Sequence, residues 1–170
     1  KGPVFGGQKI KSLPAKDRKE QAAKLAPILR GLCSGYQQMI GHFTDDERVL
    51  QFANSHDLSK LAPLGTSCPD HFLRTKIQPL VLPLSTKMDL NKVEEVLAKI
   101  EPAFAKYREE YAAYYETCKY EDSPAIRDTN PVVLLYPGVG MFTFAKNKQT
   151  ARVASEFYIN AINVMRGAEA

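Results

Sequence analysis

The chain has 170 residues, of which 44% are hydrophobic and 25% charged, a balance typical of one globular domain. Its 23 basic and 19 acidic residues give a formal charge of +4 without a block of like charges, which argues against a nucleic-acid partner. No apolar run approaches the roughly 20 residues that cross a bilayer, and three cysteines without a C-x-x-C spacing indicate reduced thiols. We therefore expect a cytoplasmic protein without a membrane partner.

The amino-terminal part predicts a linker and a leading helix over residues 1–35, followed by a second unit over residues 36–170. Apolar residues at three- and four-residue spacing predict a helix from Pro14 to Cys33, and Pro27 is expected to break or kink it. The chain begins at Lys1 without a methionine. We expect a domain cut from a longer protein, with the leading helix packed against a neighbouring domain.

A short strand and a helix are predicted next. Residues 39–43 form an apolar run, and Thr44 with Glu47 has the spacing of a capping box. The helix is expected to end near Asn54, and residues 54–63 to form a loop.

The middle of the chain predicts an edge strand and a long helix. Residues 79–83 are apolar and bounded by prolines, which suits an edge strand. After a candidate cap at Asp89, helical spacing continues for about eight turns, and Pro102 is expected to divide it into two collinear helices or kink it. The tyrosines on this helix suit a core-facing stripe better than a stacking platform; they are Tyr107, Tyr111, Tyr114 and Tyr115.

The carboxy-terminal part predicts a hairpin and a helix. Residues 132–136 and 141–144 are apolar strands joined by a Pro-Gly-Val-Gly turn. Asn147 is expected to cap an amphipathic helix with one buried face. Strands separated by long helices, together with a hairpin, predict an α/β (α+β layered) fold with a sheet flanked by helices.

Residues 66–76 hold more anion-binding and proton-transferring groups than any other stretch. Exposed amides near Ser67 could bind an anion together with cationic side chains. The anion- or phosphate-binding candidates are Thr66, Ser67, His71, Arg74 and Lys76. The alternative is a polar surface loop whose charges are solvated or paired.

Other chemistry has weaker support in the sequence. Cys68 and His71 raise the hypothesis of a thiol nucleophile, although such pairs are seldom adjacent in sequence. His42 and His56 have no compact zinc-ligand spacing with His71. Gly138 and Gly140 lack the third glycine of a dinucleotide fingerprint. We therefore expect no metal site and assign no catalytic residue.

Three blocks of the chain carry a family resemblance. Residues 66–76, 132–144 and 151–168 resemble, in order, blocks in the middle region of bifunctional rhamnulose-1-phosphate aldolase/alcohol dehydrogenases. In that family a class II aldolase domain precedes this region and a short-chain dehydrogenase domain follows it. The resemblance implies cleavage of rhamnulose 1-phosphate to dihydroxyacetone phosphate and lactaldehyde, and NAD-dependent oxidation of the lactaldehyde.

The resemblance also implies that this unit is a degenerate class II aldolase-like domain. The strand at His42 is similar to the one that carries a His-x-His metal pair, and Pro137-Gly138 stands where a His-Gly is expected. One imidazole would not hold zinc. We therefore expect a structural or substrate-supporting domain, inactive alone and without a cofactor, whose parent uses zinc and NAD. Its partners would be the flanking aldolase and dehydrogenase domains and a sugar phosphate. An independent lyase with an unusual metal site and a thiol enzyme using Cys68 remain as alternatives.

Overall fold

A computed structural model describes residues 2–35, 37–66 and 68–169. In chain order the helices and strands are α1 (Ala15–Cys33), β1 (Ile40–Thr44), α2 (Glu47–Ala53), α3 (Leu58–Leu61), α4 (Pro69–Thr75), β2 (Leu80–Val81), α5 (Val93–Cys118), β3 (Val133–Tyr136), β4 (Gly140–Ala145) and α6 (Lys148–Glu169). Single 3₁₀ turns occur at Val4–Gly6 and Ala62–Leu64. No helix in these described ranges has the length and hydropathy of a membrane span.

The four strands form one mixed sheet in the order β1-β4-β3-β2. β3 and β4 form the antiparallel hairpin that the sequence predicts, and β1 runs antiparallel to β4 with His42 opposite Thr143. β2 pairs parallel to β3 through Leu80 and Val81 at the outer edge. The sheet is flanked by helices, which confirms the predicted fold class.

Helices cover both faces of the sheet, because successive buried residues of the central strands point alternately into the two cores. Leu134 and Tyr136 of β3 join a core with α1 and α5, whereas Val133 and Leu135 join a second core with α2, α3 and α6. Both faces of β3 and β4 are buried. Each fully buried large apolar side chain contributes roughly 1.5–3 kcal/mol relative to exposure. The two cores therefore hold the sheet between helical layers.

The carboxy-terminal helix follows the sequence prediction closely. Asn147 Oδ1 accepts from the Thr150 N–H at 2.8 Å, which is the predicted cap. The buried face includes Ala151, Ala154, Tyr158, Ala161 and Ile162. This helix packs directly on β1 and β4, so the predicted amphipathic face is confirmed.

Two prolines lie inside continuous helices, so of the two predicted outcomes, a broken or a kinked helix, the broken one is wrong. Pro27 lies within α1 and Pro102 within α5. Proline within a helix costs about 3 kcal/mol. Both prolines are exposed, and buried residues before and after each one pack into the same core: Leu25 and Leu29, then Ile100 and Phe104. Burial of apolar residues before and after each proline offsets the free-energy cost of the proline within the helix.

The predicted caps at Thr44 and Asp89 are wrong. Thr44 ends β1, and α2 is capped by Asp46, whose Oδ1 accepts from the Arg48 N–H at 2.9 Å. Asp89 accepts from the Asn91 N–H at 3.0 Å within a turn, and α5 begins at Val93. In both places a local turn uses the side chain that was predicted to cap the helix.

Residues 54–63 are not the predicted loop. They contain α3 and the start of the 3₁₀ turn at Ala62–Leu64. Leu58, Leu61 and Ala62 are buried in the second core. Tertiary packing of these side chains stabilises helical turns too short to predict from periodicity.

The leading helix packs within the fold itself. α1 buries Ala22, Leu25, Leu29 and Cys33 in the core shared with α5, and Phe5 lies in the second core. Residues before and after position 35 therefore contribute to the same cores, and the division into two units at residue 35 stays a prediction.

Candidate functional site

The predicted anion-binding segment lies on and around α4, which packs on α6. Pro69 is the first residue of α4, a position where its missing N–H costs no hydrogen bond. The His71 ring meets Phe157 of α6 edge to face, with centroids 4.9 Å apart. His71 is 8% exposed. The sequence predicted polar residues at this corner, and the structure shows that the corner packs against the apolar side chain of Phe157 on α6.

Two buried polar atoms at this corner have no hydrogen-bond partner among the described residues: Thr66 Oγ1 and His71 Nδ1. Thr66 is 6% exposed. An unpaired buried polar atom costs about 1–3 kcal/mol. A hydroxyl can donate or accept and an imidazole nitrogen can do one or the other. The corner therefore has hydrogen-bonding capacity that no described residue uses.

Lys76 turns inward from the end of α4. Its backbone has φ +58°, an uncommon conformation for a residue other than glycine. The Nζ atom donates to the carbonyl oxygens of Asp128 and Asn130 and lies 4.1 Å from the centroid of the Tyr111 ring. Burial lowers the pKa of Lys76 to about 8, against the opposing attraction of the Asp128 carboxylate. The ammonium therefore holds the segment before β3 and is not free for an external anion.

That segment is hydrogen-bonded to α4 and α5, and Arg108 connects it further to α1. Arg108 of α5 donates through Nε to Asn130 Oδ1 at 2.6 Å and through Nη2 to the Leu32 carbonyl of α1 at 3.0 Å. Arg127 Nη1 donates to the Leu73 carbonyl of α4 at 3.1 Å. The Asn130 N–H donates to Asp128 Oδ1 at 2.8 Å. We name residues 127–130 the bridging segment.

The sequence analysis did not single out the bridging segment or Arg108. The run Arg-Asp-Thr-Asn-Pro before β3 is the only sequence feature that marks it, and such runs usually form solvated turns. Beside it lies a cavity of about 160 Å³, lined in part by Cys33, Phe72, Lys76 and Tyr111. Thr66, His71 and Arg74 are not among the residues that line it.

The five predicted residues thus have different surroundings. Thr66 and His71 are buried, Lys76 is bound to the bridging segment, and Arg74 is exposed. Ser67 lies outside the described residues. Arg74 makes no hydrogen bond or ion pair with a described residue. Its guanidinium is therefore available to an anion, and binding of phosphate here stays a prediction.

The thiols do not form a dyad with an imidazole among the described residues. Cys68 precedes α4 without a side-chain cap, and the nearby Nδ1 of His71 has no partner. Cys33 is buried, its Sγ lies 3.8 Å from the Pro131 carbonyl, and burial raises its pKa. A raised pKa disfavours the nucleophilic thiolate.

The three histidines lie on separate elements. His42 is on β1, His56 is exposed in the turn after α2, and His71 is on α4. Burial lowers the pKa of His42, with further lowering by Lys148 and Arg152. Within the described ranges, no three His, Cys, Asp or Glu side chains converge where they could hold a metal ion.

The layered fold agrees with a class II aldolase domain: the chain belongs to the family described as "Aldolase class II, second domain", whose profile matches residues 20–170. The match begins inside α1. Over 168 residues the chain is 34% identical to the uncharacterized oxidoreductase YuxG of Bacillus subtilis (strain 168). The alignment covers 98% of this chain and 24% of that protein, so the chain spans about a quarter of its relative. No solved structure matches the chain significantly.

Proposed function

We propose that this chain is the second class II aldolase domain of a longer bifunctional protein, a sugar-phosphate aldolase joined to an NAD-dependent short-chain dehydrogenase. The family match over residues 20–170 carries the proposal. The similarity to a much longer protein that is described as an oxidoreductase supports the dehydrogenase part. The blocks at residues 66–76, 132–144 and 151–168 favour rhamnulose 1-phosphate as the substrate, and the free cysteines favour a cytoplasmic location.

In this proposal the domain supports the reaction and the flanking domains hold zinc and NAD. Zinc would stabilise the enediolate formed when dihydroxyacetone phosphate and lactaldehyde separate, and NAD would accept hydride from lactaldehyde. This domain would contribute the polar corner on α4. Its role would be to bind the phosphate group of the sugar.

Three groups at the corner suit a phosphate. Arg74 offers an exposed guanidinium with no partner among the described residues, and a guanidinium fork matches phosphate oxygens. Thr66 Oγ1 and His71 Nδ1 are buried and unpaired, and a phosphate oxygen or hydroxyl would satisfy them if the corner opened to admit it. Lys76 would add positive charge without a direct hydrogen bond, because its Nζ is bound to the bridging segment.

The first experiment titrates dihydroxyacetone phosphate into the chain and follows backbone amide signals by NMR. We expect shifts confined to residues 66–76 and weaker binding to Arg74→Ala. A hydrogen bond to a charged group contributes about 1.5–3 kcal/mol; exposure of Arg74 reduces this, so we expect roughly three- to tenfold weaker binding. Lys99→Ala, an exposed change on α5, is the matched control.

The second experiment places Arg74→Ala in the complete protein. We expect slower cleavage of rhamnulose 1-phosphate and unchanged NAD-dependent oxidation of lactaldehyde. Equal phosphate affinity together with equal lyase turnover in the variant and wild type would contradict a substrate-supporting role. Absence of lyase activity from the complete wild-type protein would contradict the assignment of the parent.

A further inference from the structure

The two edges of the sheet are protected to different degrees. β2 offers only two residues, Leu80–Val81, and prolines lie at positions 79 and 83. β1 offers five residues, Ile40–Thr44, without proline or lysine, and within the described ranges it pairs only with β4. Short strands, proline and lysine are the usual means of blocking further pairing at an edge. The outer edge of β1 lacks these and can accept another strand.

A groove of about 630 Å³ runs beside this edge, between β1 and α1. Its α1 wall includes the small residues Ala22, Ala23 and Ala26. On β1, the Phe144 ring occupies the space beside Gly41 that a side chain would need, since a Cβ there would lie 2.9 Å from Phe144 Cε1. Ile40 remains 40% exposed at the start of the strand. The groove therefore has room for apolar side chains of an added strand.

Charged side chains of both signs surround the edge, but the carboxylates directly after β1 are paired, Asp45 with Arg18 and Asp46 with Arg48. Lys19 and Arg30 line the groove on the α1 side, and Lys148 and Arg152 are close enough to His42 on the α6 side to lower its pKa. The nearby Glu156 carboxylate is paired with Arg152 at 2.7 Å. Neither Lys19 nor Lys148 forms an ion pair with a described residue. The edge thus has unpaired positive charge on both faces of the sheet.

We propose that the free edge of β1 binds an extended acidic segment of a partner protein as an added strand. Main-chain hydrogen bonds along β1 would provide affinity, and alternate side chains would provide specificity. Apolar side chains of the segment would enter the groove, its carboxylates on the opposite face would pair with Lys148, and the exposed Lys19 beside the groove would attract the acidic segment without a direct pair. Five residues of β1 match a segment about 17 Å long. This inference does not depend on the proposed sugar-phosphate chemistry.

A second copy of the chain fits the same edge less well. Pairing β1 with β1 in an antiparallel arrangement would place His42 near its own equivalent. Lys148 and Arg152 of both copies would then approach one another on one face of the sheet. Like charges across neighbouring strands are destabilising. The charge pattern therefore favours an acidic partner.

The test uses a fluorescein-labelled ten-residue peptide of alternating valine and glutamate, and an otherwise identical peptide with lysine in place of glutamate. Fluorescence anisotropy measures binding to the chain, and hydrogen exchange measures protection of residues 40–44. We expect the glutamate peptide to bind at least tenfold more tightly than the lysine peptide and to slow exchange of the β1 amides.

Variants locate the binding. Ala23→Trp should fill the groove, and Lys19→Glu with Lys148→Glu should reverse its charge; each is expected to weaken binding at least tenfold. All three positions are exposed, so folding is expected to be preserved, and circular dichroism checks this. Lys99→Glu on α5 is the charge-matched control and should bind as wild type does.

Three outcomes would overturn the proposal. One is equal binding of the glutamate and lysine peptides, and another is binding without protection of residues 40–44. The third is a dimer by light scattering whose β1 amides are protected without peptide, which would assign the edge to a second copy of the chain.

Discussion

The main-chain N–H of Gly138 donates a hydrogen bond of 2.6 Å to Oδ1 of Asn54, 84 positions earlier in the sequence. The side-chain amide nitrogen of Asn54 donates in turn to Ser12 Oγ at 2.8 Å. The main-chain carbonyl of Asn54 accepts from the N–H groups of Lys9 and Ile10. Asn54 is 3% exposed. One side chain thus joins the end of α2, the β3–β4 turn and the amino-terminal segment.

Asn54→Ala is expected to lower the free energy of unfolding by about 2 kcal/mol, because the buried Gly138 N–H loses its acceptor. Urea denaturation followed by circular dichroism measures this change. Asn160→Ala, at an exposed position of α6, is the control and should stay within about 0.5 kcal/mol of wild type. Equal loss in the two variants would contradict a special role for Asn54.

Gly138→Ala is expected to destabilise the chain by at least about 1 kcal/mol. Gly138 has φ +85°, and an added Cβ would lie 2.4 Å from Thr86 Cγ2. Thr86→Ser removes that methyl group. Part of the loss should therefore return when Gly138→Ala is made in a Thr86→Ser background, while the backbone strain remains. Thermal unfolding of the four proteins measures the coupling between the positions.

Thr66→Val and Thr143→Val should have opposite effects on stability. Thr66 and Thr143 are both buried, but Thr66 Oγ1 has no described partner, whereas Thr143 Oγ1 donates to the Ala151 carbonyl at 2.7 Å. Removing the unpaired hydroxyl should raise the free energy of unfolding by about 1 kcal/mol, and removing the paired one should lower it by about 1–2 kcal/mol. Denaturant titrations of both variants measure the signs. A destabilised Thr66→Val would indicate that its hydroxyl is satisfied in solution.

The stability of the chain should depend on pH through Lys76. Its pKa is lowered to about 8, below the value of about 10.4 for an exposed lysine. Between these values the unfolded state binds more protons than the folded state, so the Lys76 contribution to the free energy of unfolding rises with pH. The difference between wild type and Lys76→Met should therefore shift in favour of wild type from about pH 7.5 to pH 9.

Comparing the two proteins isolates this effect. Burial raises the pKa of Cys33 and raises that of Tyr136 to about 12, and both groups lower stability at high pH because they ionise first in the unfolded state. From pH 7.5 to 9 both groups stay protonated in the folded state of both proteins, so their contributions cancel in the difference even though Lys76 lowers the pKa of Cys33. A difference that is constant from pH 7.5 to 9 would contradict the lowered pKa of Lys76.

The chain is expected to bind no stoichiometric zinc. A stable zinc site needs three or four converging ligands, whereas His42, His56 and His71 lie on β1, a turn and α4. Elemental analysis after dialysis against zinc and gel filtration measures the bound metal. One zinc per chain that is removed only by a chelator would contradict both this prediction and the degenerate-aldolase hypothesis.

The sequence predicted those parts of the fold that depend on neighbouring residues. The β3–β4 hairpin follows from its Pro-Gly turn, and the start of α6 follows from Asn147. The sequence could not decide between a broken and a continuous helix at Pro27 and Pro102, because the core that stabilises both helices forms only from distant segments. Local patterns are therefore informative where local hydrogen bonds dominate.

The candidate site shows the same limit. The sequence grouped Lys76 with Arg74 because both are cationic and close in sequence. The position of the Lys76 ammonium depends instead on carbonyl groups 52 and 54 positions later. The unpaired atoms of Thr66 and His71 likewise depend on burial within the folded chain. Neither feature leaves a pattern in the local sequence.

The pairing of β1 with β4 also determines when this sheet can form during synthesis. β1 at Ile40–Thr44 meets its partner at Gly140–Ala145, so about 100 residues must leave the ribosome before the pair can close. At about 5–20 residues per second this takes roughly 5–20 s. Throughout that interval β1 has both edges unpaired and its apolar side chains uncovered. The growing chain is therefore most vulnerable to aggregation before the hairpin is made, and this is the period in which a chaperone would protect it.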